Sequence, residues 1–86
     1  MSNERLNVLR SGIGRIMRQV RRDLNLTQSE LAEQAEVSQT IISRAERGDI
    51  NSIEHLCNIF DCMNIDIKVR FMERSKNDEE RYKSHK

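Results

Sequence analysis

Proline and tryptophan are absent from this chain, and its aromatic residues are only Phe60, Phe71 and Tyr82. With 34% of its residues charged, such a composition suits a soluble, mostly helical protein. Cysteine is nearly as scarce. Cys57 and Cys62 cannot make a disulfide framework, and their spacing on a helical pattern turns them to different faces, so two reduced, partly buried thiols are expected. His55 stands close to Cys57, but zinc needs further ligands at short spacing, so no metal and no cofactor is expected. No apolar run is long enough to span a membrane, and the first residues carry no signal-peptide pattern, which makes a cytoplasmic protein the expectation. Catalysis lacks its parts as well. No base is paired with a nucleophile, no phosphate loop is present, and His55 and His85 are isolated, so the chain is not expected to be an enzyme.

What is present is arginine, unevenly spread. The net charge of +1 combines unlike segments: residues 1–26 hold six arginines against Glu4 and Asp23. Residues 27–72 hold Arg44, Arg47, Lys68 and Arg70 against eight acids. A localised basic surface attracts phosphate even on a nearly neutral protein, although a solvated arginine face accounts for the same charges. The 86 residues suffice for one small domain with a modest core, a size that often gains stability by dimerising.

Leu6, Leu9, Ile13, Ile16, Val20 and Leu24 recur with helical spacing. Gly12 and Gly14 interrupt that stripe, so the firm helix is expected over about residues 12–24, with Asn25 as the left-handed residue that ends it. "TQSE" at 27–30 is a capping box opening a second helix to about Gln34, whose narrow apolar face is Leu31, Ala32 and Ala35. After a short turn, Ser38 caps a third helix that Gly48 ends. "NSIE" at 51–54 opens a fourth helix reaching about Cys62, with the stripe Ile53, Leu56, Phe60 and Met63. The period then changes. "IDIKVRF" alternates Ile65, Ile67, Val69 and Phe71 with Asp66, Lys68 and Arg70, the pattern of a strand with one buried face. The domains expected are thus a helical unit over 1–63, a strand segment over 64–72 and a flexible charged tail over 73–86 without apolar periodicity.

The second and third helices, joined by a short turn, make a helix-turn-helix pattern. On a helical wheel Gln39, Thr40, Ser43, Arg44 and Arg47 share one half of the third helix, while Ile41, Ile42 and Ala45 share the other, with Glu46 at its edge. The outward half is made of side chains that hydrogen-bond. Arginine matches guanine and glutamine matches adenine in the major groove, but an ordinary solvated face explains the pattern equally well.

"LTQSELAEQAEVSQTIISRAERG", residues 26–48, resembles the lambda-repressor-like (Xre/Cro) helix-turn-helix family in "TQ.ELA", "VS..IS" and "ERG". The resemblance extends over about residues 13–63 and implies a sequence-specific regulator of transcription whose third helix enters the major groove of double-stranded DNA. It implies that Gln39, Thr40 and Arg44 reach base edges and that Ser43 contacts a base or a phosphate. It implies phosphate contacts for Gln28 and Ser38, with Thr27 and Arg47 beside them, and aims the amino end of the second helix at the same backbone. Arg21 and Glu46 match positions that form a structural ion pair, with phosphate binding as the other reading of Arg21. Arg15, Arg18 and Arg22 are either phosphate contacts or solvated charges. Glu36 stands where the family usually has glycine, and a left-handed backbone there costs a side chain about 1 kcal/mol. Ile41 replaces a common threonine or serine and either extends the core or meets a thymine methyl.

The alternating segment is the second informative feature. A lone strand is not stable in water, and the chain offers no second one. A two-fold dimer supplies it: with the axis at Lys68, Asp66 faces the second copy's Arg70, Ile67 faces Val69 and Ile65 faces Phe71. The alternatives are a strand packed within one chain or an extended arm. The fold expected is therefore mainly α, a lambda-repressor-like bundle of about four helices plus a C-terminal β-strand pairing across a homodimer through Ile65, Ile67, Val69 and Phe71. This order of elements is similar to HipB-type antitoxins. That similarity implies a bacterial or phage-encoded repressor acting on a palindromic operator, with a co-encoded toxin, kinase-like or nuclease, as a further partner. A phage or mobile-element repressor without a toxin partner shares the same helical pattern.

Overall fold

A computed structural model describes residues 2–74. Four helices follow one another: α1 (Ser2–Asp23), α2 (Gln28–Ala35), α3 (Gln39–Glu46) and α4 (Ile53–Cys62). The charged tail expected from residue 73 lies, from residue 75 on, outside the described residues.

Side-chain caps start three of the helices. The Glu30 N–H donates to Thr27 Oγ1 at 3.0 Å while the Thr27 N–H donates to Glu30 Oε1 at 2.8 Å, closing the box. Ser38 accepts from the Ile41 N–H at 3.2 Å, and Ser52 from the His55 N–H at 3.1 Å. Each such cap stabilises its helix by ~1 kcal/mol. All four helices end alike. Asn25, Glu36, Gly48 and Asn64 take positive φ, and the next residue's N–H donates back to a carbonyl five positions earlier: Leu26 to Arg21, Val37 to Ala32, Asp49 to Arg44, Ile65 to Phe60.

Glu36 therefore keeps the left-handed turn at φ 58° and ψ 43° despite its side chain. Two backbone hydrogen bonds, from Glu36 to Glu33 and from Val37 to Ala32, hold it there.

Helix α1 differs from expectation by running unbroken from Ser2. Gly14 does not fray it. A Cβ at Gly14 would stand 2.6 Å from the Ala45 carbonyl oxygen and 2.7 Å from that of Glu46, so the missing side chain is what lets α1 lie against the end of α3. Around Gly12, by contrast, the space is open.

The core consists of Met17, Leu31, Ala32, Ala35, Ile42, Ala45, Ile59, Phe60 and Met63. Completely buried Met17, Leu31 and Ile42, with Ile59 nearly so, each contribute roughly 1.5–3 kcal/mol by leaving water. Two stripes read from spacing need correction. In α1, Met17 is fully buried whereas Ile16 is 56% exposed; Ile13, Met17 and Val20 form the core side of α1, and Leu9 and Ile16 lie exposed beside it. In α4, Ile53 is 78% exposed and Ile59 fills the core instead. A stripe at spacings of three and four fixes a face only to within one residue, and the neighbour helix chooses.

The described residues contain no β-strand. Residues 65–74, where alternation predicts one over 65–71, run without a ladder partner, because pairing needs a second strand and the other described residues do not supply one. Ile65 packs against the core and the residues after it are exposed.

Candidate nucleic-acid interface

The polar centre of the molecule joins α1, α2 and α3. Arg21, near the end of α1, donates through Nε to Glu46 Oε2 and through Nη2 to Glu46 Oε1 at 3.1 Å. Its Nη1 donates to the Leu26 carbonyl at 2.7 Å, bracing the residue before the α2 cap. Gln28, the first residue of α2, donates through Nε2 to Glu46 Oε1 at 3.1 Å. Glu46 is buried, and every buried side-chain nitrogen and oxygen among the described residues has a partner. Burial pushes the Glu46 carboxyl up, but hydrogen bonds from Arg21 and Gln28 and the charges of Arg21 and Arg18 outweigh it, so the group lies below the usual carboxylate range. The hydrogen bond to Glu46 likewise raises Arg21.

This cluster orients Gln28. A carboxylate only accepts, so the amide nitrogen must face Glu46, and one N–H and the amide oxygen remain for the outside. Gln28 then lines a shallow concavity with Gln39, Thr40 and Ser43 of α3. The turn at Glu36 and the Ser38 cap set α3 so that Ile42, Ala45 and Glu46 are buried and Gln39, Thr40, Arg44 and Arg47 are exposed, with Ser43 half-buried. Ile41 is half-buried and packs against the core. Thr27 and Ser38 are exposed, and since each hydroxyl accepts from its helix, its own proton is free to be donated outward. Arg15, Arg18 and Arg22 are exposed on α1.

Arg44 stands apart from the other outward side chains of α3. It borders a second concavity with Ile41, Asp49, Asn51 and His55, at the turn into α4. Asn51 there donates to Asp49 Oδ1 at 3.0 Å. Sequence periodicity alone does not mark Asn51 and His55 as polar neighbours of α3. The cap signal "NSIE" held the clue, since a cap so close after α3 returns the chain to its side. Among the described residues no group of three or more His, Cys, Asp or Glu could hold a metal ion, and no helix is long and apolar enough to cross a membrane. Both cysteines are free, and Cys62 donates to the Gln34 carbonyl at 3.2 Å.

A short helix capped by Thr27, a tight left-handed turn and a second helix with a polar outer face define a helix-turn-helix protein. The chain belongs to the lambda-repressor-like helix-turn-helix family: the family model described as "Helix-turn-helix" matches residues 17–68, from the buried half of α1 to the segment after α4. It is a DNA-binding transcription regulator. Comparison with curated proteins and with solved structures finds no match.

Proposed function

We propose that the chain is a sequence-specific repressor that binds a palindromic operator as a homodimer, with α3 of each copy in the major groove. The observation that carries this reading is the joint surface of Gln28, Gln39, Thr40 and Ser43 beside the satisfied Arg21–Glu46 cluster. Gln39, Thr40, Ser43 and Arg44 read base edges, Arg44 by a bidentate bond to guanine. Thr27, Gln28, Ser38 and Arg47 bind phosphates, and the positive end of α2 adds to their pull. Arg21 and Glu46 hold the two parts in register. Residues 64–72 pair with the same segment of a second copy and fix the spacing of the two reading helices at about one helical turn, ~34 Å.

The antitoxin reading follows from the alternating segment placed directly after the helix-turn-helix unit. It makes the protein an autorepressor in a bacterial or phage cytoplasm that also holds a co-encoded toxin. Its support is the order of elements alone, and the alternative is a phage or mobile-element repressor without a toxin. Footprinting on the chain's own promoter tests the repressor reading. Arg44→Ala should lose ~1–3 kcal/mol on the operator and relax one base position. Equal losses on operator and random DNA would remove Arg44 from base reading. Pull-down with the products of neighbouring genes tests the antitoxin reading, which falls if none is retained.

A further inference from the structure

An apolar groove of about 590 Å³ lies open between α1 and α4, lined by Leu9, Ile13 and Ile16 on one side, by Leu56 and Phe60 on the other, and along its edge by residues 65–71. The chain's own residues 65–71 run along it but do not fill it. Coverage falls steadily along that segment: Ile65 packs against the core, Ile67 is 44% exposed, Val69 72% and Phe71 93%. A largest side chain left bare at the end of an alternating apolar row points to a surface elsewhere that covers it.

We infer that the groove is a socket for Val69 and Phe71 of a second copy of this chain. The inference rests on the dimer reading above and adds α1 and α4 to it. Register supplies the argument. About a two-fold axis at Lys68, extended chain rises ~3.4 Å per residue, so Phe71 lies as far beyond the axis as Ile65 lies before it. The second copy's Phe71 therefore arrives opposite Ile65, the residue seated against the core, and its Val69 arrives opposite Ile67. Asp66 meets the second copy's Arg70 across the pair, so opposite charges favour this register. Each copy's own segment thus edges its groove, and the second copy's Val69 and Phe71 fill what that segment leaves open. The half of α1 that carries Leu9 and Ile16 has an apolar face for this reason.

The test uses the full chain and two charge variants, Ile16→Asp and Phe71→Lys. Both side chains are exposed in the single chain, so each variant should keep its helical circular dichroism. By sedimentation velocity over a concentration series, each variant alone should weaken dimerisation roughly thirtyfold, the loss expected for an aromatic anchor. Mixed in equal amounts, they should dimerise again. The mixed dimer has one unaltered socket and one in which the introduced Lys meets the introduced Asp. No rescue on mixing would mean that residues 16 and 71 do not meet across the two copies and would overturn the inference. Dimers of both variants as tight as the parent's would also overturn it, while leaving the paired strands intact. A parent chain that stays monomeric at all concentrations would remove the dimer reading and the socket together. If Ile16→Asp fails to fold, Ile16→Ser and Phe71→Ala give the same readout: each should weaken the dimer, and an unchanged dimer overturns the socket.

Discussion

The two sides of the bundle are finished to different degrees. Around Glu46 every buried side-chain polar atom is partnered: two donors from Arg21 and one from Gln28 reach the carboxylate, and Arg21 also donates to the Leu26 carbonyl. Between α1 and α4 the apolar surface is open, with Leu9, Ile16, Val69 and Phe71 all more than half exposed. The closed side holds α2 and α3, and the open side holds the alternating segment. The buried network around Glu46 keeps α2 and α3 in one geometry within one chain. An open apolar side is tolerable where something else covers it. The contrast predicts that damage on the closed side lowers stability independently of protein concentration, whereas damage on the open side acts through concentration.

The sharpest break of the closed side is Glu46→Ala. It leaves Arg21 charged and half-sequestered without its carboxylate and should cost about 3–5 kcal/mol in urea unfolding. Acid should act through the same group. The folded-state pKa of Glu46 is depressed, so the unfolded chain takes up the proton first as pH falls. The stabilisation is complete above the unfolded value of about 4.3 and is lost as pH drops through the folded one. A Glu46→Gln variant should show a flatter acid limb, and an unchanged limb would assign acid sensitivity to other carboxyls.

Gly14→Ala comes next. Its Cβ would strike backbone oxygens of Ala45 and Glu46, which no side-chain motion relieves, and the loss should be ~1–3 kcal/mol. Glu36→Gly should move the other way, by about 1 kcal/mol, because the left-handed turn then carries no side-chain strain. Gly12→Ala is the smallest effect, a gain of roughly 0.5–1 kcal/mol from helix propensity alone, since the space there is open. Thermal unfolding of the two glycine variants side by side checks whether the close approach of α1 to α3, and not glycine in a helix as such, makes the difference.

Much of the fold was legible from local chemistry. The "TQSE" box and the serines at 38 and 52 start helices, and asparagine or glycine ends three of the four. These signals act within a few residues, so sequence carries them intact. The apolar stripes were legible as helices but not as faces. Met17 and Ile59 displaced Ile16 and Ile53 because each helix turns its face toward a neighbour whose position no local spacing records. Local spacing makes Gly14 look like a weak point for the same reason, since its role lies in a contact thirty-odd residues away. In the candidate site, Arg21 and Glu46 were named together through family resemblance and meet in the structure. The bond from Gln28 to Glu46, and the turn of Arg44 toward Asn51 and His55, left no sequence signal because they depend on where α2 and α4 end up.

The order of residues by itself determines where α2, α3 and α4 begin and where the helices end, that α3 has one apolar and one polar half, and that residues 65–71 alternate. Caps, turns and periodicity are properties of short stretches, and water sorts their faces in the same way in any context. Only the tertiary structure decided which face of each helix is core, that Gln28 is held by Glu46, and that the groove beside α1 stays open. Those outcomes require residues far apart in the chain to meet, and backbone approach at Gly14 and burial around Glu46 select among faces that local pattern leaves nearly equal.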